Sequence, residues 1–152
     1  MSVDVVLEDG RWAGVLEAAS ARAVPATLRD AGLDPEAHEA AVLGCGDERI
    51  AGLNAAFRGK PTPTDVLSWP ASDLAPGDVP EAEMGDVAIS YDTCARQAAE
   101  RGLTLADHVT HLMVHATLHL LGHDHMEEAE RAGMEAAEIR VLAGLGIPDP
   151  YG

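Results

Sequence analysis

The pattern of apolar and polar positions along the chain predicts about four short strands and about five helices. Apolar stretches between turn residues have the length of strands at 3–7, at 40–43 with an extension to 45 left open, in the second half of 64–70 and at 85–90. Apolar residues at three- and four-residue steps predict helices at 12–33, from Asp47 to the 58–60 segment, at 92–102, from Thr104 to Gly122 and at 127–142. This mixture is typical of an α+β fold in which helices cover one small sheet.

Local features add detail to these elements. Pro25 is expected to break or kink the first helix, and Asp47 is expected to cap the second. Residues 71–84 are rich in Pro, Gly, Asp and Glu without periodicity, which predicts a mobile surface loop. The Gly- and Pro-rich segment 144–152 is expected to fray. No internal repeat or boundary is visible, so 1–152 is expected to be a single domain.

Histidines are concentrated in one stretch of the predicted central helix and the turn after it. Four of the seven histidines lie within the eleven residues 115–125. His115 and His119 are four positions apart, which places them on one face of a helix. Gly122 permits a sharp exit, so His125 can return as a third ligand. Three protein ligands and one open position indicate a catalytic zinc site, whereas an isolated histidine pair would indicate ordinary helix histidines.

The residue after the first histidine limits the chemistry of such a site. The spacing His-x-x-x-His-x-x-Gly-x-x-His is that of metzincin proteases, which need Glu directly after the first His as general base. That position is Ala116, so a peptidase is disfavoured. A metal that activates water and a nearby cation suit phosphodiester hydrolysis better. Arg58 is the candidate cation, and Lys60, the only lysine, lies two positions later. Both residues could instead simply be charges at a helix end.

Composition and net charge limit which binding partners and which cellular compartment are expected. The net charge of −16 argues against a general nucleic-acid coat, because phosphate binding rests on Lys and Arg. No apolar run reaches the roughly 20 residues of a membrane span, and the first nine residues carry acids where a signal peptide needs bases. A cytoplasmic protein is therefore expected. Cys45 and Cys94 are expected to be free, partly buried thiols without a ligand role, although one disulfide stays open.

The motifs along 40–142 resemble the YbeY family, the bacterial endoribonucleases and rRNA maturation factors. The resemblance runs in order over Asn54, 57–60 (Phe-Arg-Gly-Lys), 64–70 (Thr-Asp-Val-Leu-Ser-Trp-Pro), 85–90 (Gly-Asp-Val-Ala-Ile-Ser), 111–115 (His-Leu-Met-Val-His), 118–125 (Leu-His-Leu-Leu-Gly-His-Asp-His), Met134 and Glu138. Two positions depart from the family pattern. His123 stands where the family usually has Tyr, and it competes with His125 as third ligand, although spacing favours His125. Trp69 stands where Phe is usual.

This resemblance implies a zinc-dependent, single-strand-specific endoribonuclease. It implies maturation of the 3′ end of the small-subunit (16S) rRNA and ribosome quality control, with rRNA, the small ribosomal subunit and its assembly factors as partners. His115, His119 and His125 would hold one zinc ion per chain. Arg58 would lie beside the metal as the functional arginine. The implied fold is α+β, a mixed sheet of about four strands with the metal helix against it.

Supporting residues and a second function complete the set of expectations. A ligating histidine usually donates its other ring N–H to a carboxylate or carbonyl, and Asp65 and Asp124 are candidates that could equally cap turns. Lys60 and His111 are candidates for the groove, with His111 alternatively a helix histidine whose hydrogen bonds are satisfied. The second function is a ribosome-assembly factor with a structural metal site, which the acidity and the missing general base both support.

Overall fold

Short apolar strands form a four-stranded sheet in the order β1-β2-β4-β3. The computed structural model describes residues 2–152. Its helices and mixed sheet confirm the expected α+β class. The elements are β1 (Val3–Leu7), a 3-10 turn (Gly10–Trp12), α1 (Leu16–Asp30), β2 (Glu39–Cys45), α2 (Asp47–Arg58), β3 (Val66–Pro70), β4 (Glu83–Ser90), α3 (Tyr91–Arg101), α4 (Leu105–Leu120) and α5 (Glu128–Gly144). The extension of β2 to residue 45, left open above, is present.

The topology of the sheet places β3 at an edge beside α4. β1, β2 and β4 are parallel, whereas β3 runs antiparallel to β4. Successive side chains of a strand point to opposite faces. Leu67 of β3 accordingly packs with Ile50 of α2 in a small apolar cluster, whereas Ser68 reaches His119 of α4 on the other face. The edge strand therefore separates the end of α2 from the histidines of α4.

The core lies between the sheet and three helices. α4 is the central element, because it packs against α1, β3, α3 and α5. Most of its side chains are buried, including Val109, Met113 and Leu120. At roughly 1.5–3 kcal/mol for each large apolar side chain, this burial outweighs any helix propensity of the segment. His115 and His119 therefore belong to a helix that the core holds on several sides.

Two expectations, a break of α1 at Pro25 and a cap of α2 at Asp47, are wrong, whereas the alternative of a kink at Pro25 stays a prediction. α1 continues through Pro25 without interruption, although proline costs about 3 kcal/mol in a helix interior. Burial of Val24 and Leu28 in the core offsets that cost. The cap of α2 is Gly46, one residue before the expected Asp47. The Asp47 carboxylate instead accepts hydrogen bonds from the hydroxyls of Ser90 (2.7 Å) and Thr93 (2.6 Å), and so ties α2 to α3.

The segment after α5 is anchored rather than frayed. Ile147 is buried, and its N–H donates to the Leu142 carbonyl at 2.9 Å. The Tyr151 hydroxyl donates to a carboxylate oxygen of Glu138 at 2.7 Å. The expectation of fraying is therefore wrong for these two residues, because a buried apolar side chain and a buried hydrogen bond both oppose release. None of the helices within 2–152 is long and apolar enough to cross a membrane.

The two thiols and the loop before β4 are the remaining points. Cys45 and Cys94 are both free, as expected, but fully buried rather than partly. Burial is the main cause that raises the pKa of Cys45, to about 11, so this thiol stays protonated.

The backbone of Leu74 and Ala75 approaches Gly122 closely. Part of the 71–84 loop is therefore packed against the turn that follows α4.

Candidate metal centre

The two ends of α4 are fixed by hydrogen bonds that the sequence specifies. The Thr104 hydroxyl accepts from the Asp107 N–H at 3.1 Å and so caps the start of the helix. At the other end, Gly122 N–H donates to the His119 carbonyl and His123 N–H to the Leu118 carbonyl, both at 3.0 Å. Gly122 has φ +100°, which residues with a Cβ rarely adopt. This turn brings 123–125 back beside the last turn of the helix.

His115 and His119 each have one ring nitrogen held by a partner from another element. His115 Nδ1 lies 3.0 Å from Glu138 Oε2 of α5, so the ring donates its N–H to a carboxylate. His119 Nδ1 lies 2.5 Å from the Ser68 hydroxyl of β3. The hydrogen bond at one nitrogen sets which nitrogen is left with a lone pair. The Glu138 carboxylate can only accept, so it leaves the lone pair of His115 on Nε2. The Ser68 hydroxyl can donate or accept, so it orients the His119 ring and leaves both tautomers of that ring open.

His125 lies next to this pair, and His123 does not. The His125 ring is stacked on the His115 ring, with centroids 5.6 Å apart and planes at 24°. Both rings line one cavity of about 310 Å³. His123 lines a different cavity of about 230 Å³ that also contains Asp30 and Arg140. The geometry thus favours His125 as the third member of the group.

The three rings do not yet converge on a common point. Within 2–152, no group of three His, Cys, Asp or Glu side chains has the arrangement of a finished metal site. The donor chemistry nevertheless fits zinc, because imidazole nitrogen is a preferred zinc ligand and His115 and His119 have their outer nitrogens anchored. The complete three-histidine site therefore stays a prediction.

Glu138 is the charged group on which two helix histidines depend. Its side chain is 1% exposed. Burial alone would raise the pKa of Glu138, but hydrogen bonds from His111, His115 and Tyr151 lower it to about 2. The carboxylate is therefore ionised at neutral pH and accepts from all three donors. His111 Nε2 lies 2.5 Å from Oε1, which agrees with the alternative that His111 is a helix histidine whose hydrogen bonds are satisfied.

Arg58 and Arg131 are the basic residues that the structure relates to these histidines. Arg58 is the exposed last residue of α2, just before Gly59 in the left-handed conformation, and Lys60 follows. Burial is the main cause that lowers the pKa of His119, and the positive charge of Arg58 lowers it further. The position of Arg58 beside the metal stays a prediction. On the opposite wall, Arg131 of α5 lines the cavity of His115 and His125.

Comparison with known proteins decides the family. A family model described as endoribonuclease YbeY matches residues 14–146. The Endoribonuclease YbeY of Ruegeria pomeroyi is 52% identical, with 99% of this chain and 98% of that protein covered. That of Paracoccus denitrificans is 54% identical, with 98% of this chain and 89% of that protein covered. The chain belongs to the endoribonuclease YbeY family. The resemblance drawn from the motifs, and the expectation of an endoribonuclease, are confirmed.

A solved structure supports the fold of this YbeY family member. A Thermotoga maritima protein determined in solution superimposes with a TM-score of 0.60, covering 95% of this chain and 91% of that one. The two sequences are 22% identical, so the likeness concerns the fold alone. It agrees with the mixed four-stranded sheet expected from the family resemblance.

The two aspartates proposed as partners of the ligands cap turns instead. Asp124 Oδ1 accepts from the N–H groups of His125 (2.7 Å) and Met126 (3.2 Å). Asp65 Oδ1 accepts from the N–H of Val66 at 2.6 Å. Short carboxylate side chains bond readily to nearby backbone N–H groups, and both aspartates form this local bond instead of one to a histidine. Among the hydrogen bonds of 2–152, neither aspartate side chain bonds to a histidine of the group.

Ser68, Glu138 and Arg131 are the residues that sequence reasoning left without a role. One signal for Glu138 was available, because it shares the apolar stripe of α5 with Met134 and Val141 at helical spacing. A lone carboxylate among buried apolar positions indicates a charged partner on the facing element. Nothing in the sequence around Ser68 or Arg131 indicated a contact with the histidine helix.

Proposed function

We propose that this YbeY family protein is a zinc-dependent, single-strand-specific endoribonuclease. It matures the 3′ end of the small-subunit (16S) rRNA and takes part in ribosome quality control in the cytoplasm. The observation that supports a metal centre most strongly is the anchoring of both helix histidines at Nδ1. His115, His119 and His125 would hold one zinc ion per chain, and rRNA, the small subunit and its assembly factors would be the partners.

The residues around the histidines have separable tasks in phosphodiester hydrolysis. Zinc, when bound, supplies a Lewis acid and lowers the pKa of water to about 7. Ser68 and Glu138 keep the rings of His119 and His115 in one orientation, and Glu138 also fixes the tautomer of His115. Arg58 binds a non-bridging oxygen of the scissile phosphate, where its guanidinium stabilises the charge that develops during attack. Ala116 offers no carboxylate, so the protease mechanism of the same histidine spacing has no counterpart here.

The charge of the protein favours a second candidate function. With a net charge of −16, most of the surface repels RNA. A ribosome-assembly factor that contacts basic ribosomal proteins, with a structural metal site, would use that charge directly. The two functions differ in one outcome, because only the nuclease needs the metal for RNA cleavage.

Metal removal tests the proposed function. The purified protein is expected to contain about one zinc ion per chain and to cut a single-stranded RNA carrying the 3′ end of the 16S precursor. Chelation is expected to abolish cleavage, and added zinc to restore it, because the histidines alone provide no strong Lewis acid. Cleavage is followed on a gel and folding by circular dichroism. Cleavage at the original rate after chelation contradicts the proposal, and bound zinc without cleavage supports the assembly factor.

Replacement of Arg58 tests the phosphate contact separately. Arg58→Ala is expected to lower kcat/KM for RNA cleavage by about 10²–10³-fold, the usual loss for one group that stabilises transition-state charge. Zinc affinity and thermal stability should stay near wild type, because the side chain is exposed. Arg29→Ala is the matched control, an exposed arginine in the last turn of α1 with the same change in charge. Equal effects of both variants would mean that Arg58 acts only through net charge.

A further inference from the structure

The two oxygens of the Glu138 carboxylate have different partners. Oε2 faces His115 Nδ1 alone, at 3.0 Å. Oε1 accepts from the Tyr151 hydroxyl at 2.7 Å and faces His111 Nε2 at 2.5 Å. Three donors from two distant parts of the chain therefore share one buried carboxylate. That carboxylate would otherwise bear an uncompensated desolvation cost.

This division of partners makes the orientation of the carboxylate depend on Tyr151. The terminal torsion of a glutamate is broad and has no sharp rotamer, so the carboxylate plane is set by its hydrogen bonds. With Oε1 fixed by a hydroxyl, Oε2 is directed at His115. Without that hydroxyl, His111 could draw either oxygen, and the bond to His115 would lose its fixed direction.

The Tyr151 ring is placed as part of the same cavity. It lies edge-on to the His111 ring, with centroids 5.7 Å apart and planes at 90°. It also lines the cavity that contains His115 and His125. Burial and the neighbouring Glu138 carboxylate raise the pKa of Tyr151, so the hydroxyl remains a donor at neutral pH. Anchoring of Ile147 in the core holds the intervening segment in place.

We propose that Tyr151 is a positioning residue for the metal centre. Its hydroxyl holds Glu138 so that Glu138 fixes the tautomer of His115 and presents Nε2 of that ring to zinc. The inference rests on the proposed metal site and extends its supporting residues to the segment after α5. Partners one bond removed from a metal ligand typically change metal affinity by about 10–100-fold. Tyr151 is one step further out, so the lower end of that range is expected.

Tyr151→Phe removes the hydroxyl and keeps the ring against His111. Its zinc affinity, measured by competition with a chromophoric chelator, is expected to fall by about 10-fold. In the zinc-free protein, the ¹⁵N chemical shifts of the His115 ring are expected to move toward a mixture of the two tautomers. The His119 ring is the internal reference, because Ser68 holds it independently. A merely structural role of Tyr151 would leave the His115 tautomer unchanged.

Tyr91→Phe is the matched control, since Tyr91 is the other tyrosine and its ring packs against Trp12. It should leave zinc affinity and the His115 shifts at wild-type values. If Tyr151→Phe also matches wild type in both measurements, the positioning role is wrong while zinc binding still stands. If the wild-type protein itself binds no zinc, the proposed metal centre is wrong, and the role of Tyr151 toward a metal is overturned with it.

Discussion

Replacing His125 by Ala is expected to weaken zinc binding by on the order of 10²–10³-fold and to abolish RNA cleavage. Structural zinc sites with four ligands bind with about 10–16 kcal/mol, or roughly 2.5–4 kcal/mol per ligand, and 1.4 kcal/mol corresponds to a factor of ten. A site with three protein ligands cannot compensate for the loss of one. Zinc affinity by chelator competition and cleavage rate on the same preparation provide the measurement.

His123→Ala is the matched control for this experiment. It removes a histidine from the same turn, but one that lines the separate cavity near Asp30 and Arg140. Its zinc affinity should stay within a few-fold of wild type. A reversed result, with His123→Ala losing zinc and His125→Ala keeping it, would assign the third ligand to His123. The side chain of His125 is exposed, so its removal should leave the fold intact.

The part of the metal centre that could be predicted from sequence is the part that is local in the chain. His115, His119 and the glycine turn are related by helix geometry, which spacing alone reveals. Ser68 and Glu138 approach their histidines from 51 and 23 residues away. Such contacts depend on how β3 and α5 pack on α4, and no periodicity encodes that. The expected partner Asp124 was wrong for a local reason, because its carboxylate accepts from backbone N–H groups of its own turn and not from a histidine of the group.

The fold shows the same division between local and tertiary signals. Strand and helix positions followed from apolar periodicity, which a one-sided core imposes on any element. Pro25 was expected to interrupt α1 because propensity was weighed without the core that its neighbours enter. The segment after α5 was expected to fray because its composition is rich in Gly and Pro. Its anchors are the buried side chain of Ile147 and the hydroxyl of Tyr151, whose partner Glu138 lies 13 residues earlier.

The distribution of cations reconciles the acidity of the chain with an RNA substrate. Arg11, Arg49, Arg96 and Arg140 are engaged in ion pairs with acidic residues. Among the ion pairs of 2–152, none involves Arg58, Lys60 or Arg131, and none involves Arg22, Arg29 or Arg101. We expect Arg58, Lys60 and Arg131 to form a local positive rim that attracts RNA within an otherwise acidic surface, since phosphate contacts dominate affinity.

Gly122→Ala is expected to lower the free energy of unfolding by roughly 2–5 kcal/mol. It is also expected to reduce the zinc affinity of the protein that remains folded. The positive φ of +100° costs a residue with a Cβ about 1–2 kcal/mol. A Cβ would also lie 2.5 Å from the Leu74 carbonyl oxygen and 2.9 Å from the Ala75 carbonyl carbon, and relieving such an overlap costs about 1–3 kcal/mol. Urea unfolding of zinc-free protein measures the stability, and chelator competition measures the affinity.

Gly133→Ala separates the role of this turn from the general effect of adding a methyl group. Gly133 lies in α5 with open space around its missing Cβ, so alanine there should stabilise the protein by about 0.5–1 kcal/mol. Gly122→Ala has the opposite expected sign because the 71–84 loop and the left-handed backbone together fix how the chain leaves α4. If Gly122→Ala kept wild-type zinc affinity, the turn would not determine where His125 stands, and the third ligand would have to reach the site through side-chain rotation alone.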